Sequence, residues 1–215
     1  MSTMALEQMV MQQVRAWDVL DDRVLDTLRK LPRERFVPDG FRAVAYADAP
    51  IALGHGQHML APKVVGRILQ AVEASANDSV LEIGTGSGYL TACLASFARR
   101  VSSVEIHADL AAGARARLAA QGIANAQVQA ADAFALAFDP HHDVIVLTGS
   151  LPKYDERFQH SLAVGGRLFA IVGDGPAMSA RLVRRTSSTT WTSEDLFETW
   201  VEPLVHAARP SRFVF

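Results

Sequence analysis

The run Val80–Leu90 reads VLEIGTGSGYL: an apolar segment breaks into three glycines, Gly84, Gly86 and Gly88, and an apolar helical pattern starts directly after them. A strand that ends in a glycine turn and continues as a helix is a βα unit. The missing side chains let the backbone turn tightly and let a ligand approach it. The surrounding sequence has the same texture. Residues 79–84, 100–106, 126–132, 142–149 and 165–173 have strand character, and residues 89–98, 108–122 and 154–162 have helical character, with Gly122 as a stop signal. Such alternation calls for a mostly parallel, doubly wound α/β sheet of Rossmann-like type with right-handed crossovers. Residues 179–187 and 189–204 follow one another across a Ser/Thr turn with no helix between, which predicts an antiparallel hairpin closing one edge.

Ahead of this core the pattern is helical. Leu6, Met9, Val10, Val14 and Trp17 recur at helical spacing, and Val24, Leu25, Leu28 and Leu31 form a second stripe, capped by Asp21 or Asp22 and stopped by Pro32. LPRERFVPDG is a connector, residues 41–61 are irregular with short extended pieces, and Pro62 is placed to open a third helix through Val72. The expected organisation is one domain over 1–215: N-terminal helices and a loop region over 1–75, then the core and hairpin over 76–215. At 49% hydrophobic and 20% charged residues, the composition is that of a packed globule. A net charge of −2 gives no general pull toward nucleic acid or anionic membrane. The single cysteine, Cys93, excludes an internal disulfide and reads as a small core residue. No apolar run is long enough for a membrane span and no cleavable leader is evident, so a cytoplasmic location is expected.

Three acids stand at the ends of successive strands. The glycine loop departs from the dinucleotide fingerprint, because Gly88 comes one residue early, and no Gly-Lys-Ser/Thr follows as a P-loop requires. Glu82, two residues before the first glycine, suits a cationic amino-acid group better than a pyrophosphate. Glu105 ends the second strand, where a carboxylate can accept from a ribose diol, and Asp132 follows the third, in reach of an adenine amino group. S-adenosylmethionine (SAM) carries all three features.

With these residues the sequence resembles the class I SAM-dependent methyltransferases and, within them, the protein-L-isoaspartate O-methyltransferase family. The resemblance runs through PRERFVP, the GHGQ element with a following proline, VLEIGTGSGYLTA, SVEI, HDVIVLTG, GGRLFAIVG and VEPL. It implies SAM bound by Glu82, Gly84, Gly86, Gly88, Glu105 and Asp132, with Thr148 beside the transferred methyl. It implies a protein or peptide acceptor bearing isoaspartate, or another small acceptor, met by Gln57, Met59 and Glu202. No nucleic-acid partner is expected, and the chain is expected to be a monomer or weak dimer.

The departures fall at the acceptor. The family pattern G-x-G-Q-T-I-S-x-P here reads Gly54-His55-Gly56-Gln57-His58-Met59-Leu60-Ala61-Pro62, so His58 replaces a threonine and Leu60 a serine. Glu202 introduces a carboxylate into the late VEPL motif. His58 and Leu60 are therefore the candidate catalytic positions. His58 has three readings: a partner for an acceptor carboxylate, a base for a hydroxyl or amine acceptor, or a ligand of the loop backbone. Leu60 opens two more readings at the level of the protein, a different acceptor or a SAM-binding homologue without turnover. His55 and His58 lack a third ligand nearby, so no metal is expected.

Overall fold

The computed structural model describes residues 2–138 and 141–210; the last five residues of the RPSRFVF tail lie outside them. The N-terminal segment begins as helix α1 (Ser2–Gln8), widens into a π-helical turn over Met9–Val14 and tightens to a 3₁₀ turn at Arg15–Trp17. The wider turn brings Met9 and Val14, five residues apart, toward one face, and both are fully buried. Helix α2 (Asp22–Lys30) is capped by Asp21, whose carboxylate accepts from the Arg23 amide. Helix α3 (Pro62–Val72) starts on Pro62, where a missing N–H costs nothing.

Between α2 and α3, in the region expected to be irregular, lies a short antiparallel hairpin, β1 (Ile51–Gly54) and β2 (Gln57–Met59). Its tip places Gly54, His55 and Gly56 all at positive φ. A histidine in that conformation is uncommon and persists only where its surroundings hold it.

The main sheet comprises β3 (Ser79–Ile83), β4 (Arg100–Glu105), β5 (Ala126–Ala130), β6 (His142–Leu151), β7 (Leu162–Val172), β8 (Met178–Arg185) and β9 (Trp191–Thr199), in the order β5-β4-β3-β6-β7-β8-β9. The first five strands are parallel, and β8 and β9 are antiparallel additions. Helices α4 (Tyr89–Ala95), α5 (Ala108–Ala120) and α6 (Arg157–His160) complete the α/β layers. Period-two alternation sorts the buried strand residues onto two faces. Val80, Val144, Val146 and Phe169 pack with the N-terminal helices and α4, while Leu81, Ile145, Leu147 and Leu168 pack with Phe158 of α6. The chain order reverses beside β3, so the carboxyl ends of β3 and β6 open a crevice, the usual ligand site of such a sheet.

Several boundaries differ from the sequence expectation. Helix α4 stops at Ala95 rather than running to residue 98; the Ser96 hydroxyl turns back onto the Ala92 carbonyl, and Arg99 returns to Asp78. The last strand ends at Thr199, not Leu204. Pro203 has no N–H for a ladder, and residues 201–204 instead fold over the end of β6, with a parallel bridge between Ser150 and Pro203.

Candidate functional site

The glycine loop is fixed from behind and open in front. Glu82 shares the β3 face of Val80 and so points toward α4, away from the crevice. It is fully buried, its Oε2 accepting from Thr91 Oγ1 at 2.5 Å and Ser103 Oγ at 2.6 Å, while Oε1 has no partner. Burial pushes its carboxyl up to about 7 against the pull of these two hydroxyls. Gly84 has φ +94°, and a side chain there would collide with the Thr148 hydroxyl. Thr148 in turn donates to the Gly84 carbonyl at 2.7 Å. Gly86 donates its N–H to Glu105 Oε2 at 2.8 Å, and Glu105 Oε1 accepts the His107 amide at 3.0 Å. The carboxylate is thereby oriented, and each oxygen keeps acceptor capacity. Asp132 caps a short turn through the Phe134 amide and pairs with His206 Nδ1 at 2.7 Å. Partial burial works to raise the Asp132 carboxyl, but the bonds from His206 and Phe134 outweigh it and hold the group below the ordinary range.

A cavity of about 260 Å³ lies over these strand ends. Gly84, Gly86, Glu105, Asp132 and Thr148 line one side; Gln57, His58, Leu60 and Glu202 line the other. Three residues assigned by sequence do not reach this wall. Glu82 sits behind the loop, and Gly88, at φ +84°, abuts Ala114 of α5 where helix α4 begins. Met59 is buried beneath the hairpin, beside a smaller cavity of about 40 Å³.

The hairpin is locked down at both ends. His55 Nε2 bonds both carboxylate oxygens of Asp109, and its ring stacks on His107 at 4.0 Å. The His55 bond holds the Asp109 carboxyl below its usual range. At the other end, Arg33 is fully buried. Its Nε donates to the Ala45 carbonyl at 3.0 Å and its NH2 to the Leu60 carbonyl at 2.7 Å, and its guanidinium lies 5.3 Å from the Tyr89 ring centre. Burial lowers its pKa to about 10, which leaves it charged at neutral pH. His58 Nδ1 meets Glu202 Oε1 at 2.6 Å. Each hairpin histidine thus engages a carboxylate, and no group of three or more His, Cys, Asp or Glu is placed to hold a metal ion among the described residues. Cys93 is buried, with its thiol pushed up to about 12 by desolvation.

Sequence reasoning assigned no role to Arg33, Trp200 or His206. Arg33 carries one available signal, a charge between two prolines in a connector. Trp200, which is 55% exposed and lines the cavity, could be suspected only from its place beside VEPL. His206 gives no local signal, because its partner Asp132 lies on a distant strand end.

Comparison with known proteins agrees with this geometry. A family model described as protein-L-isoaspartate(D-aspartate) O-methyltransferase matches residues 5–208. A protein-L-isoaspartate O-methyltransferase 1 from Rhodopseudomonas palustris is 39% identical over 93% of this chain and 82% of the relative. A protein-L-isoaspartate O-methyltransferase from Methanoculleus marisnigri is 40% identical over 83% and 82%. The fold matches a crystal structure from Plasmodium falciparum, described as a beta-aspartate methyltransferase in complex with S-adenosyl-L-homocysteine, with a TM-score of 0.77 and 18% identity over 94% of this chain and 97% of that one. With a family model spanning nearly the whole chain and close relatives along most of it, the chain belongs to the protein-L-isoaspartate(D-aspartate) O-methyltransferase family of SAM-dependent methyltransferases.

Proposed function

We propose that this enzyme methylates the free α-carboxylate of isoaspartyl residues in proteins, with the acceptor placed between Thr148 and the β1–β2 hairpin. One observation carries the reading: residues of the glycine-loop half and of the acceptor half line a single cavity. The residues present suit SAM. Glu105 presents oriented oxygens to a diol, Asp132 stands at the next strand end for an adenine amino group, and Gly84 and Gly86 leave the loop backbone open. Glu82 serves from behind, tying β4 and α4 to the loop through Ser103 and Thr91.

When bound, SAM supplies an electrophilic methyl carbon on a sulfonium. A carboxylate is already the nucleophile at neutral pH, so no residue has to remove a proton. The chain's residues have to align the acceptor and exclude water. Leu53, Leu60 and Leu204 give the cavity apolar walls, and the Arg33 bond to the Leu60 carbonyl fixes the acceptor strand. Loss of the family's serine hydroxyl at Leu60 removes one positioning bond, worth about 1–3 kcal/mol if nothing replaces it, which is too little to abolish the transfer. The comparisons favour neither a different acceptor nor a homologue without turnover.

Incubation with methyl-labelled SAM and an isoaspartyl peptide, beside its normal aspartyl twin, tests the reading. Base-labile label on the isoaspartyl peptide alone is expected. Equal labelling of both peptides, or none while calorimetry shows S-adenosylhomocysteine bound, overturns it.

A further inference from the structure

The two positions that bring new charge to the acceptor region meet in space. His58 Nδ1 lies 2.6 Å from Glu202 Oε1, and both side chains line the cavity shared with Thr148, Gly149 and Leu60. Both backbones are anchored. His58 pairs with Ala52 across the hairpin. The Glu202 carbonyl accepts from the Ser150 amide at 2.9 Å, and the Leu204 amide returns to the Ser150 carbonyl at 3.0 Å. Ser150 is fully buried, and its hydroxyl donates to the Val201 carbonyl.

Without His58, the substitutions at Leu60 and Glu202 both work against a carboxylate acceptor. Leu60 offers no donor, and an unpaired Glu202 repels an anion across a site that excludes water. His58 paired with Glu202 solves the problem. A ring protonated on both nitrogens donates Nδ1–H to Glu202 and keeps Nε2–H for a ligand, and the Glu202 carboxylate fixes its orientation, as a carboxylate does for a histidine in many sites. Nε2, on the opposite edge of the ring, makes no hydrogen bond among the described residues.

We propose that His58 and Glu202 form one acceptor-binding unit, in which His58 Nε2–H donates to the acceptor carboxylate in place of the hydroxyl absent at Leu60, and Glu202 is the positioning residue that holds the ring. The unit selects an anionic acceptor and disfavours amines and alcohols. This inference rests on the isoaspartyl reading above.

A double-mutant cycle on the full chain tests it, with S-adenosylhomocysteine calorimetry confirming that each variant remains folded. His58→Ala is expected to raise KM for the isoaspartyl peptide about 10- to 100-fold, as loss of a hydrogen bond to a charged group does, with kcat changed less than about threefold. Adding Glu202→Gln to His58→Ala should recover part of that loss, about threefold or more, because the unpaired carboxylate is gone. His58→Gln, which keeps a donor, should stay within about fivefold of wild type. In the S-adenosylhomocysteine-loaded protein, the His58 imidazole nitrogen resonances should move on addition of the isoaspartyl peptide and not of its aspartyl twin. A KM unchanged in His58→Ala, or resonances that ignore the isoaspartyl peptide, overturns the unit while leaving the proposed function standing wherever the wild type labels that peptide. A wild type that labels no isoaspartyl peptide overturns both.

Discussion

Glu82 shows how a side chain's place on a strand decides its role. It shares the β3 face of Val80, so its carboxylate meets Thr91 and Ser103 and not the cavity. Its folded carboxyl titrates at about 7, against 4.5 unperturbed. Between these values the folded chain holds a proton that the unfolded chain has released, so stability falls as pH rises through the window and levels off above about 7. The shift corresponds to about 3 kcal/mol. Glu82→Gln should remove that slope, which urea unfolding at pH 5 and pH 8 would reveal; parallel pH dependence in the two proteins contradicts the assignment. Gly84→Ala forces a side chain against the Thr148 hydroxyl at a positive φ. It should destabilise the chain by about 1–3 kcal/mol and weaken S-adenosylhomocysteine binding measured by calorimetry. That three acids mark the strand ends was legible in the sequence. That only Glu105 and Asp132 line the cavity was not, because the facing of a residue at the mouth of a sheet depends on the register of its strand.

Element boundaries were legible where a local signal sets them and not where a distant partner does. Pro62 and the Asp21 cap gave two helix starts, and the Ser/Thr turn gave the β8–β9 hairpin. The hairpin at residues 51–59 was visible only as short extended pieces, because its conformation is held by contacts far along the chain: His55 with Asp109, and Arg33 with the Leu60 carbonyl. Residues 201–204 looked like strand, yet they leave the sheet to cover the end of β6. Arg33 is the most demanding of these supports, a buried guanidinium that joins two carbonyls from different segments. Arg33→Lys keeps the charge but loses the planar fork. It should lower the unfolding free energy by about 2–4 kcal/mol and raise KM for the peptide more than it weakens S-adenosylhomocysteine binding. Equal effects on both ligands would show that Arg33 acts on the whole fold and not on the acceptor strand.

At the scale of the molecule, the sheet separates two apolar clusters and leaves its carboxyl edge to function. The parallel α/β architecture followed from the alternation of strands and helices, and the position of the site followed from the architecture. The pairings that close the site from outside the core did not, since His58, Glu202, Asp132 and His206 come together only when the hairpin and the C-terminal segment dock on the same edge. A ligand bound there adds to stability by mass action. S-adenosylhomocysteine at 100 times its Kd should raise the unfolding free energy by about 2.7 kcal/mol, and Glu105→Ala should abolish that gain at the same concentration; a full gain in the variant would remove Glu105 from the cofactor site. The most direct measurement is a crystal structure with S-adenosylhomocysteine and an isoaspartyl peptide bound together. The account predicts the isoaspartyl carboxylate inside the cavity, beside Thr148 and within hydrogen-bond distance of His58 Nε2, with Glu202 still on Nδ1. A peptide carboxylate seated outside the cavity, or facing Leu60 with His58 turned away, would contradict it.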